Sequence, residues 1–394
     1  MSWKTPLAAG LALALAIVVL LGFLFPYIHD SREAAREQPR GESPELGDET
    51  EYVEVVDFAG RKVVVPRNVT RVVAIGPGAL RLIAYLQALD LVVGVEEMEK
   101  RWTPGTPTGM DYLLAHYSRL KDLPTIGPGG PGRPPNPELI AAVRPQLIVM
   151  SRLYMQFIDP DRLEAETGAK VVVVDYGEPG YLRLEDFKRA LMMLGKVLGR
   201  EERALELVRY VEQLVLDLRA RTGAIEKRPV VYVGAVSYRG PQPFTSTQGD
   251  FVPFKLINTP SIVDELGRGG FVSLDFEYII KRQPEVVFID ENNLGVVLGD
   301  FRKNPQPYCS LVAFREGRVY GILPYNHYHT NVATALANAY WVGYILYPSA
   351  FSDIDPVAKA NEIYRVFLGR ELYEEFVKNG FPGFASLSDL FRCP

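Results

Sequence analysis

The chain has 394 residues, of which 47% are hydrophobic, and it carries a formal net charge of −5 at pH 7. This length exceeds one ordinary domain, and the apolar content is sufficient for folded cores and too high for a disordered chain. The net negative charge argues against nucleic acid as the main partner, because phosphate binding needs a basic face.

The N-terminus carries the clearest targeting signal, an uncharged apolar run at 7–25 that follows Lys4. At about 1.5 Å per helical residue, this run approaches the ~30 Å thickness of the hydrocarbon core of a bilayer. The segment PYIHDSRE that follows is a poor cleavage site, so residues 1–29 are predicted to form an uncleaved membrane anchor, with a removable signal peptide as the alternative. Residues 30–51 are polar and charged, which is typical of a flexible tether. Under both alternatives most of the chain lies outside the cytoplasm.

Residues 52–182 have the pattern of an α/β lobe. Two short β-rich runs, EYVEVVDFAG and RKVVVP, flank the dipeptide Ala59-Gly60 and predict a hairpin. Helical and buried-strand patterns then alternate, as in PELIAAVRPQLIVMS, and this alternation predicts a parallel sheet covered on both faces.

The glycine loop GPG at 76–78 lies between a predicted strand and a predicted helix. A dinucleotide-binding fingerprint needs a third glycine at position 81, where Arg81 stands, so a Rossmann cofactor site is not expected. The loop could still bind negative groups, because free backbone N–H groups point outward at a helix N-terminus.

A helical stretch at 183–223 follows, and residues 224–394 again show strand and helix patterns, as expected of a second α/β lobe. Gly195 and Gly199 are predicted to divide the helical stretch. From Glu201 to Arg221 the helix would extend about 30 Å, which is enough to connect two lobes.

One segment is repeated at an offset of 139 residues: PELIAAVRPQLIVM at 137–150 aligns with FEYIIKRQPEVVFI at 276–289. Glu138 aligns with Glu277, and both copies read as helix, proline and buried strand. This order predicts two lobes of similar construction, although any α/β unit has a related pattern.

The stretch PYNHYHTN at 324–331 contains two of the four histidines and follows a predicted strand. As extended chain it would alternate between two sides, the first with Tyr325, His327, His329 and Asn331 and the second with Asn326, Tyr328 and Thr330. Three uses remain open: a metal site at His327 and His329, hydrogen bonding to an anionic ligand, and capping of the following helix by Thr330 or Asn331. The two cysteines, Cys309 and Cys393, form no zinc motif, and a disulfide between them stays an open alternative.

Taken in order, the segments VVDFAGRKVVVPRNVTRVVAIGPGALRLIAYLQALDLVVGVEE, NPELIAAVRPQLIVMS, PFTSTQGDF, FEYIIKRQPEVVFID and REGRVYGILPYNHYHTN resemble one family. It is the helical-backbone class (class III) of ABC-importer substrate-binding proteins, which serve the uptake of iron–siderophore complexes, haem and cobalamin. The resemblance covers roughly residues 52–370. It implies an α/β fold of two Rossmann-like lobes, joined by a single long backbone helix, with the ligand cleft between the lobes. It also implies a protein that is not an enzyme and has no cofactor.

In such a fold the ligand lies beyond the carboxyl ends of the strands, which selects particular loops. The ligand-binding residues predicted in these loops are Gly76, Pro77, Gly78, Arg152, Tyr154, Thr245, Ser246, Asn292, Asn326, His327, Tyr328, His329 and Asn331. His327 and His329 are also the candidate metal ligands. The favoured ligand is an iron chelate of the siderophore type; a molybdate or tungstate oxyanion, cobalamin and haem are alternatives, and a metal-dependent enzyme on the same fold is a further one.

The resemblance also implies the partners. The protein would be a monomer that delivers its ligand to an ABC permease dimer in the membrane, while the N-terminal segment keeps it at the extracytoplasmic face. Glu138 and Glu277 match the acidic residues that this family presents to its permease, one on each lobe. Both also lie where a first-turn glutamate favours the helix dipole, which is the structural alternative.

Overall fold

The computed structural model describes residues 51–103 and 106–393. The predicted membrane anchor at 1–29 and the tether up to residue 50 lie outside the described residues. Within those two described ranges, no helix is both long enough and apolar enough to cross a bilayer.

The described chain begins with a β-hairpin. Strands β1 (Tyr52–Val56) and β2 (Lys62–Pro66) pair antiparallel, with Val56 opposite Lys62. Exposed and buried residues alternate along both strands, so one face of the hairpin packs on the core. The hairpin predicted around Ala59-Gly60 is confirmed.

A four-stranded parallel sheet forms the first lobe, in the order β4-β3-β5-β6. Its strands read as short apolar runs because helices and loops cover both faces. In chain order its elements are β3 (Val72–Ile75), α1 (Ala79–Tyr85), β4 (Val92–Gly94), α2 (Asp111–Leu120), α3 (Pro137–Ala142), β5 (Leu147–Ser151), α4 (Pro160–Thr167) and β6 (Lys170–Val174).

Two helices connect the lobes after a short antiparallel pair, β7 (Gly177–Glu178) and β8 (Tyr181–Leu182). They are α5 (Leu184–Leu198) and α6 (Glu201–Thr222), and the 22 residues of α6 extend over about 33 Å. Gly199 ends α5 in the left-handed conformation, as the sequence predicts. The prediction is wrong for Gly195, which lies inside α5. A Cβ atom there would come within 2.6 Å of the Ala204 Cβ, so this glycine allows α5 and α6 to pack closely.

The second lobe contains a three-stranded parallel sheet, in the order β13-β12-β9, and the antiparallel pair β10–β11. Helices cover this sheet and close the chain. The elements are β9 (Val231–Gly234), β10 (Ser246–Gly249), α7 (Val252–Leu256), β11 (Gly270–Ser273), α8 (Phe276–Arg282), β12 (Val286–Asp290), α9 (Leu294–Lys303), α10 (Gln306–Cys309), α11 (Val312–Arg315), β13 (Val319–Ile322), α12 (Val332–Leu346), α13 (Pro356–Leu368) and α14 (Tyr373–Lys378).

The repeated sequence segment corresponds to a repeated structural unit. Helices α3 and α8 begin 139 residues apart, and so do strands β5 and β12. Even the turn between helix and strand is shared, because Arg144 and Gln283 both have a φ of 46°. The two lobes are therefore built around the same helix–turn–strand unit.

The largest apolar core runs through the helices of both lobes. Helix α12 packs on α13 and α7, and α13 in turn contacts α1 of the first lobe. Tyr85 in α1 meets Phe367 in α13 edge to face, with ring centroids 4.9 Å apart. Smaller cores lie on the other face of each sheet. The lobes are thus fused along their helices, and this shared core limits how far one can move relative to the other.

The C-terminus is fastened to the second lobe by a disulfide between Cys309, at the end of α10, and Cys393. The two Cα atoms are 5.6 Å apart. The disulfide that the sequence leaves as an open alternative is therefore formed.

Candidate functional site

Loops that follow the strands of the two lobes border a cleft of about 680 Å³. The first lobe contributes the loops after β3 and β5, and the second lobe contributes the loops after β9, β12 and β13. Its lining residues are Pro77, Met98, Pro107, Gly130, Pro131, Gly132, Leu153, Tyr154, Gln156, Phe157, Pro179, Ser237, Arg239, Gly240, Pro241, Asn292, Asn293, Asn326, His327, Tyr328 and His329. This location agrees with the rule that ligands of α/β sheets bind beyond the carboxyl ends of the strands.

A second cavity, of about 630 Å³, lies between α5, α6 and α7. These helices supply most of its lining residues, of which four in total are acidic and four are basic, and strand-end loops contribute little to it. The cleft with the strand-end loops is therefore the better candidate for ligand binding.

The segment 324–331 is a tight turn and not an extended strand. Tyr328 and His329 have positive φ angles of 55° and 84°, and the backbone N–H of His327 donates to the carbonyl of His329 at 3.1 Å. The turn places four consecutive residues, 326–329, in the cleft lining, whereas Tyr325, Thr330 and Asn331 are buried behind them. The predicted alternation of two sides is therefore wrong, because it assumes extended backbone.

Arg81 holds this turn against the first lobe. Its side chain is fully buried in α1, and each of its five N–H groups has an acceptor. The acceptors are Asp111 Oδ1 at 2.9 Å, the Tyr176 hydroxyl at 3.0 Å, the Tyr328 carbonyl at 3.1 Å, the His327 carbonyl at 2.8 Å and Asn331 Oδ1 at 2.7 Å. The sequence contains a signal for this role, which is a single charged residue within the apolar helix ALRLIAY.

Asn331 serves this same contact. It is the residue before α12, but its side chain makes no capping hydrogen bond to that helix. Its amide instead donates to the carbonyls of Gly109 and Pro324, at 2.6 and 2.8 Å. Asn331 therefore joins the turn to the first lobe from behind the cleft.

Both histidines of the turn are neutral. Burial and, to a lesser degree, the positive charge of Arg81 lower the pKa of His327 to about 4 and that of His329 to about 3. His327 Nδ1 accepts from the backbone N–H of Gly109 at 3.0 Å, which leaves its Nε2 for a ligand. His329 has both ring nitrogens engaged, since Nδ1 accepts from Thr330 N–H and Nε2 donates to the Gly177 carbonyl.

This geometry does not support the predicted metal site at His327 and His329, because His329 has no free nitrogen. In the part of the chain that the structure describes, no group of three or more His, Cys, Asp or Glu side chains is arranged to hold a metal ion. The histidines instead position the turn and present one ring nitrogen to the cleft.

A buried carboxylate lies behind two tyrosines of the cleft. Glu96 accepts from the Tyr328 hydroxyl at 2.6 Å, the Tyr154 hydroxyl at 2.9 Å and the Gly76 N–H at 3.0 Å. Burial raises the pKa of Glu96 to about 7, although these three donors act in the opposite direction. Sequence reasoning misses Glu96, yet it follows the buried strand β4 almost directly, as strand-end functional residues do.

The structure brings seven of the predicted ligand-binding residues to the cleft lining. They are Pro77, Tyr154, Asn292, Asn326, His327, Tyr328 and His329. Six others are not among the lining residues. Gly76 and Gly78 are closely packed instead, since a Cβ atom would lie 2.9 Å from Ser151 Cβ at Gly76 and 2.3 Å from the Tyr176 hydroxyl at Gly78.

The other four predicted residues that do not line the cleft have different contacts. Arg152 forms an exposed ion pair with Asp175 at 3.2 Å. Ser246 is buried and donates to the Val236 carbonyl at 2.7 Å. Thr245 contributes its backbone carbonyl to Leu274 N–H, and Asn331 is buried behind the turn. The loop that follows β9, with Ser237 and Arg239, supplies the cleft residues that sequence reasoning misses in the second lobe.

A family model described as periplasmic binding protein matches residues 72–325, which is more than half of the chain. The chain belongs to the periplasmic binding protein family. Members of this family bind small ligands outside the cytoplasm and dock on ABC permeases. A comparison with curated protein sequences finds no match.

Solved structures share the fold of this periplasmic binding protein. A periplasmic solute binding protein from Veillonella parvula is 17% identical, with a TM-score of 0.65 and coverage of 84% of this chain and 97% of that one. MolA from Haemophilus influenzae, solved with molybdate, is 17% identical, with a TM-score of 0.63 and coverage of 81% and 98%. The TroA-like protein FepB from Veillonella parvula is 20% identical, with a TM-score of 0.62 and coverage of 81% and 97%. At these identities the similarity establishes the two-lobe fold.

Proposed function

We propose that this periplasmic binding protein captures an iron chelate of the siderophore type in its interlobe cleft and delivers it to an ABC permease. The observation that carries the proposal is the character of the cleft lining. Among the described residues that line it, Arg239 is the one with a formal charge, and amide, hydroxyl, proline and aromatic groups make up most of the rest. Such a surface suits a large ligand whose charge is largely neutralised within a chelate.

The size of the cleft supports a chelate over an oxyanion. Its volume of about 680 Å³ lies within the range of about 300–1,000 Å³ that is usual for ligands of drug size. A tetrahedral oxyanion would leave most of this space empty. Two of the donors expected for such an anion are also engaged, because Arg152 pairs with Asp175 and the Gly76 N–H donates to Glu96. Molybdate nevertheless belongs in the test, since it is bound in MolA.

The protein is proposed to bind its ligand and hand it over without chemical turnover. A hydrolase that used His327 and His329 would need free nitrogens on both rings, whereas His329 uses both of its nitrogens within the turn. The neutral state of both histidines suits hydrogen bonding to a ligand instead.

Docking on the permease is proposed to involve Glu138 and Glu277. They lie in the first turns of α3 and α8, both are exposed, and they occupy equivalent positions of the repeated unit. A permease dimer has two similar surfaces, so a monomer that carries one acidic side chain on each lobe complements it. The proposed membrane attachment through residues 1–29 would keep the protein near this partner.

Titration of the purified protein tests the ligand class. Intrinsic tryptophan fluorescence would be followed during addition of a ferric trihydroxamate, a ferric tris-catecholate, haem, cobalamin and molybdate. A saturable response to a ferric chelate is expected, with none to molybdate. Saturation by molybdate, haem or cobalamin alone would reassign the ligand, and binding of none of the five would contradict the proposed function.

A further inference from the structure

We infer that the second-lobe wall of the cleft is an acceptor surface, which selects ferric chelates that present N–H or O–H donors. The wall is formed by Asn292, Asn293, Asn326 and Ser237, all of which line the cleft. This inference rests on the proposed function and adds the specificity of the same site.

The orientations of two of the amides are determined by their partners. Asn293 contacts the backbone carbonyl of Ala235 at 2.8 Å, and Asn326 contacts the backbone carbonyl of Ser237 at 2.6 Å. A carbonyl only accepts hydrogen bonds, so each asparagine must direct its NH₂ group there. The side-chain oxygen of each amide therefore points away from these contacts.

Ser237 orients the third amide. Its hydroxyl oxygen accepts from Asn292 at 2.8 Å and from Asn293 at 2.9 Å. The second N–H of Asn292 faces the Asn326 carbonyl at 3.5 Å, and that of Asn293 is used by Ala235. The NH₂ groups of Asn292 and Asn293 are therefore fully directed into the wall, and neither amide has an N–H left for a ligand.

The three side-chain oxygens are left without donors. No residue in the described ranges donates a hydrogen bond to Oδ1 of Asn292, Asn293 or Asn326. Asn326 is 4% exposed, and its Oδ1 is a buried acceptor without a partner. That atom is enclosed by protein, so the acceptors that a ligand in the cleft can reach are the Oδ1 atoms of Asn292 and Asn293. Polar atoms of folded proteins are normally hydrogen-bonded when they become buried, so these two acceptors favour a ligand group that donates to them.

The rest of the lining adds two donors, Arg239 and the Nε2–H of neutral His327, whose Nδ1 accepts from the Gly109 N–H. The other lining residues supply few donors. Five cleft residues are prolines, at positions 77, 107, 131, 179 and 241, and proline has no backbone N–H. The hydroxyls of Tyr154 and Tyr328 point to Glu96 and not into the cleft. Arg239 is a cationic donor on the same side of the cleft, so it can bind a carboxylate or another anionic group of the ligand.

Two ferric probes differ in the property that this wall would recognise, which is the presence of free N–H donors on the ligand. Ferrioxamine E is a neutral cyclic trihydroxamate with three amide N–H groups. A ferric tris-catecholate such as ferric enterobactin carries three negative charges, and its amide N–H groups are engaged by its own catecholate oxygens. Fluorescence titration of the wild type with both is expected to give tighter binding of ferrioxamine E.

Variants on this wall separate the acceptor effect from charge. Asn292→Leu, which removes one acceptor at similar volume, is expected to reduce the affinity for ferrioxamine E about tenfold more than that for the tris-catecholate. Asn292→Asp retains an acceptor and a partner for Ser237, so it should bind ferrioxamine E as well as the wild type does and the tris-catecholate more weakly. Arg239→Gln is the matched control, and it should weaken the tris-catecholate more than ferrioxamine E. Thermal melts would verify that each variant is folded.

The outcomes distinguish this inference from the proposed function. Equal loss for both probes in Asn292→Leu, or a wild-type preference for the tris-catecholate, would overturn the acceptor wall and leave iron-chelate binding intact. Binding of neither probe, combined with binding of a ligand that is not a ferric chelate, would overturn both.

Discussion

The guanidinium of Arg81 donates to the side-chain oxygen of Asn331 at 2.7 Å, across 250 residues of chain. This contact fastens the turn that presents His327, Tyr328 and His329 to the first lobe, although the turn belongs to the second. Arg81 also pairs with the buried carboxylate of Asp111 at 2.9 Å. One buried cation thus fixes the position of the cleft loop and part of the junction between the lobes.

Removal of the Arg81 guanidinium should lower the stability of the folded protein. Arg81→Met leaves Asp111 and three oxygens of the turn without their donor, and we expect a loss of about 3–5 kcal/mol in the free energy of unfolding. Urea denaturation measures this loss, and the affinity for the ligand should also fall, since the turn loses its support. Arg101, which forms an exposed ion pair with Glu97 at 2.8 Å, is the matched control. A loss below about 1 kcal/mol is expected for Arg101→Met, and an equal loss in both variants would contradict the role of Arg81.

Glu96 should make stability depend on pH. Burial raises its pKa to about 7, so the folded state binds a proton that the unfolded state releases near pH 4.5. The contribution of Glu96 is therefore present below about pH 4.5 and is lost as the pH rises through about 7. Over this window the free energy of unfolding should fall by up to about 3 kcal/mol on account of this group.

Glu96→Gln tests that dependence by urea titrations at several pH values. The variant should show a shallower decline between pH 4.5 and 7 than the wild type. Asp290, whose pKa burial also raises to about 7, is expected to contribute a second part of the slope. Asp290→Asn should therefore flatten the decline as well, and the double variant more than either. An unchanged slope in Glu96→Gln would show that the carboxyl group does not titrate in this range.

The disulfide should contribute to stability through the chain that it closes. Cys309 and Cys393 are separated by 84 residues, and the link restricts the unfolded state more than the folded one. Replacement of both cysteines by alanine should lower the free energy of unfolding by about 2–4 kcal/mol. Ligand affinity should remain unchanged, because neither cysteine lines the cleft. Addition of a reductant to the wild type is the control and should reproduce the loss, whereas a reductant effect on the double variant would indicate another cause.

Charge reversal at the two exposed glutamates should separate transport from binding. Glu138→Arg combined with Glu277→Arg is expected to reduce cellular uptake of the radiolabelled ligand, a ferric chelate under the proposed function, about tenfold, because the basic charges proposed on the permease are then repelled. Binding of the chelate to the purified variant should be unaffected, since both residues lie outside the cleft lining. Glu202→Arg, another exposed acidic position, is the control and should retain uptake. Reduced uptake in all variants alike would point to net charge as the cause.

Much of the architecture is predictable because its causes are local. The apolar runs of β5 and β12, the helical period of α6 and the left-handed glycine at position 199 all depend on residues within a few positions of one another. The equivalent positions of Glu138 and Glu277 follow from the repeated segment in the same way. Gly195 shows the limit, because its function in close helix packing depends on Ala204 in the neighbouring helix.

The site is less predictable from the sequence, because its contacts join residues that are far apart in the chain. Its general location follows from the strand ends, and seven of the predicted residues do line the cleft. The role of each residue depends on distant partners. Arg152 forms an ion pair with Asp175 and so lies outside the cleft lining, the Tyr328 hydroxyl donates to Glu96, and His329 Nε2 donates to the Gly177 carbonyl. The positive φ angles of Tyr328 and His329 also break the alternation that an extended segment would have.

The amino-acid order by itself determined the two α/β lobes, their repeated unit and the long helix between them, because short-range periodicity and turn residues specify these features. Only the tertiary structure decided which groups face the ligand. Hydrogen bonds between residues up to 250 positions apart orient the side chains of the cleft, and such pairings have no signature in one chain read in order.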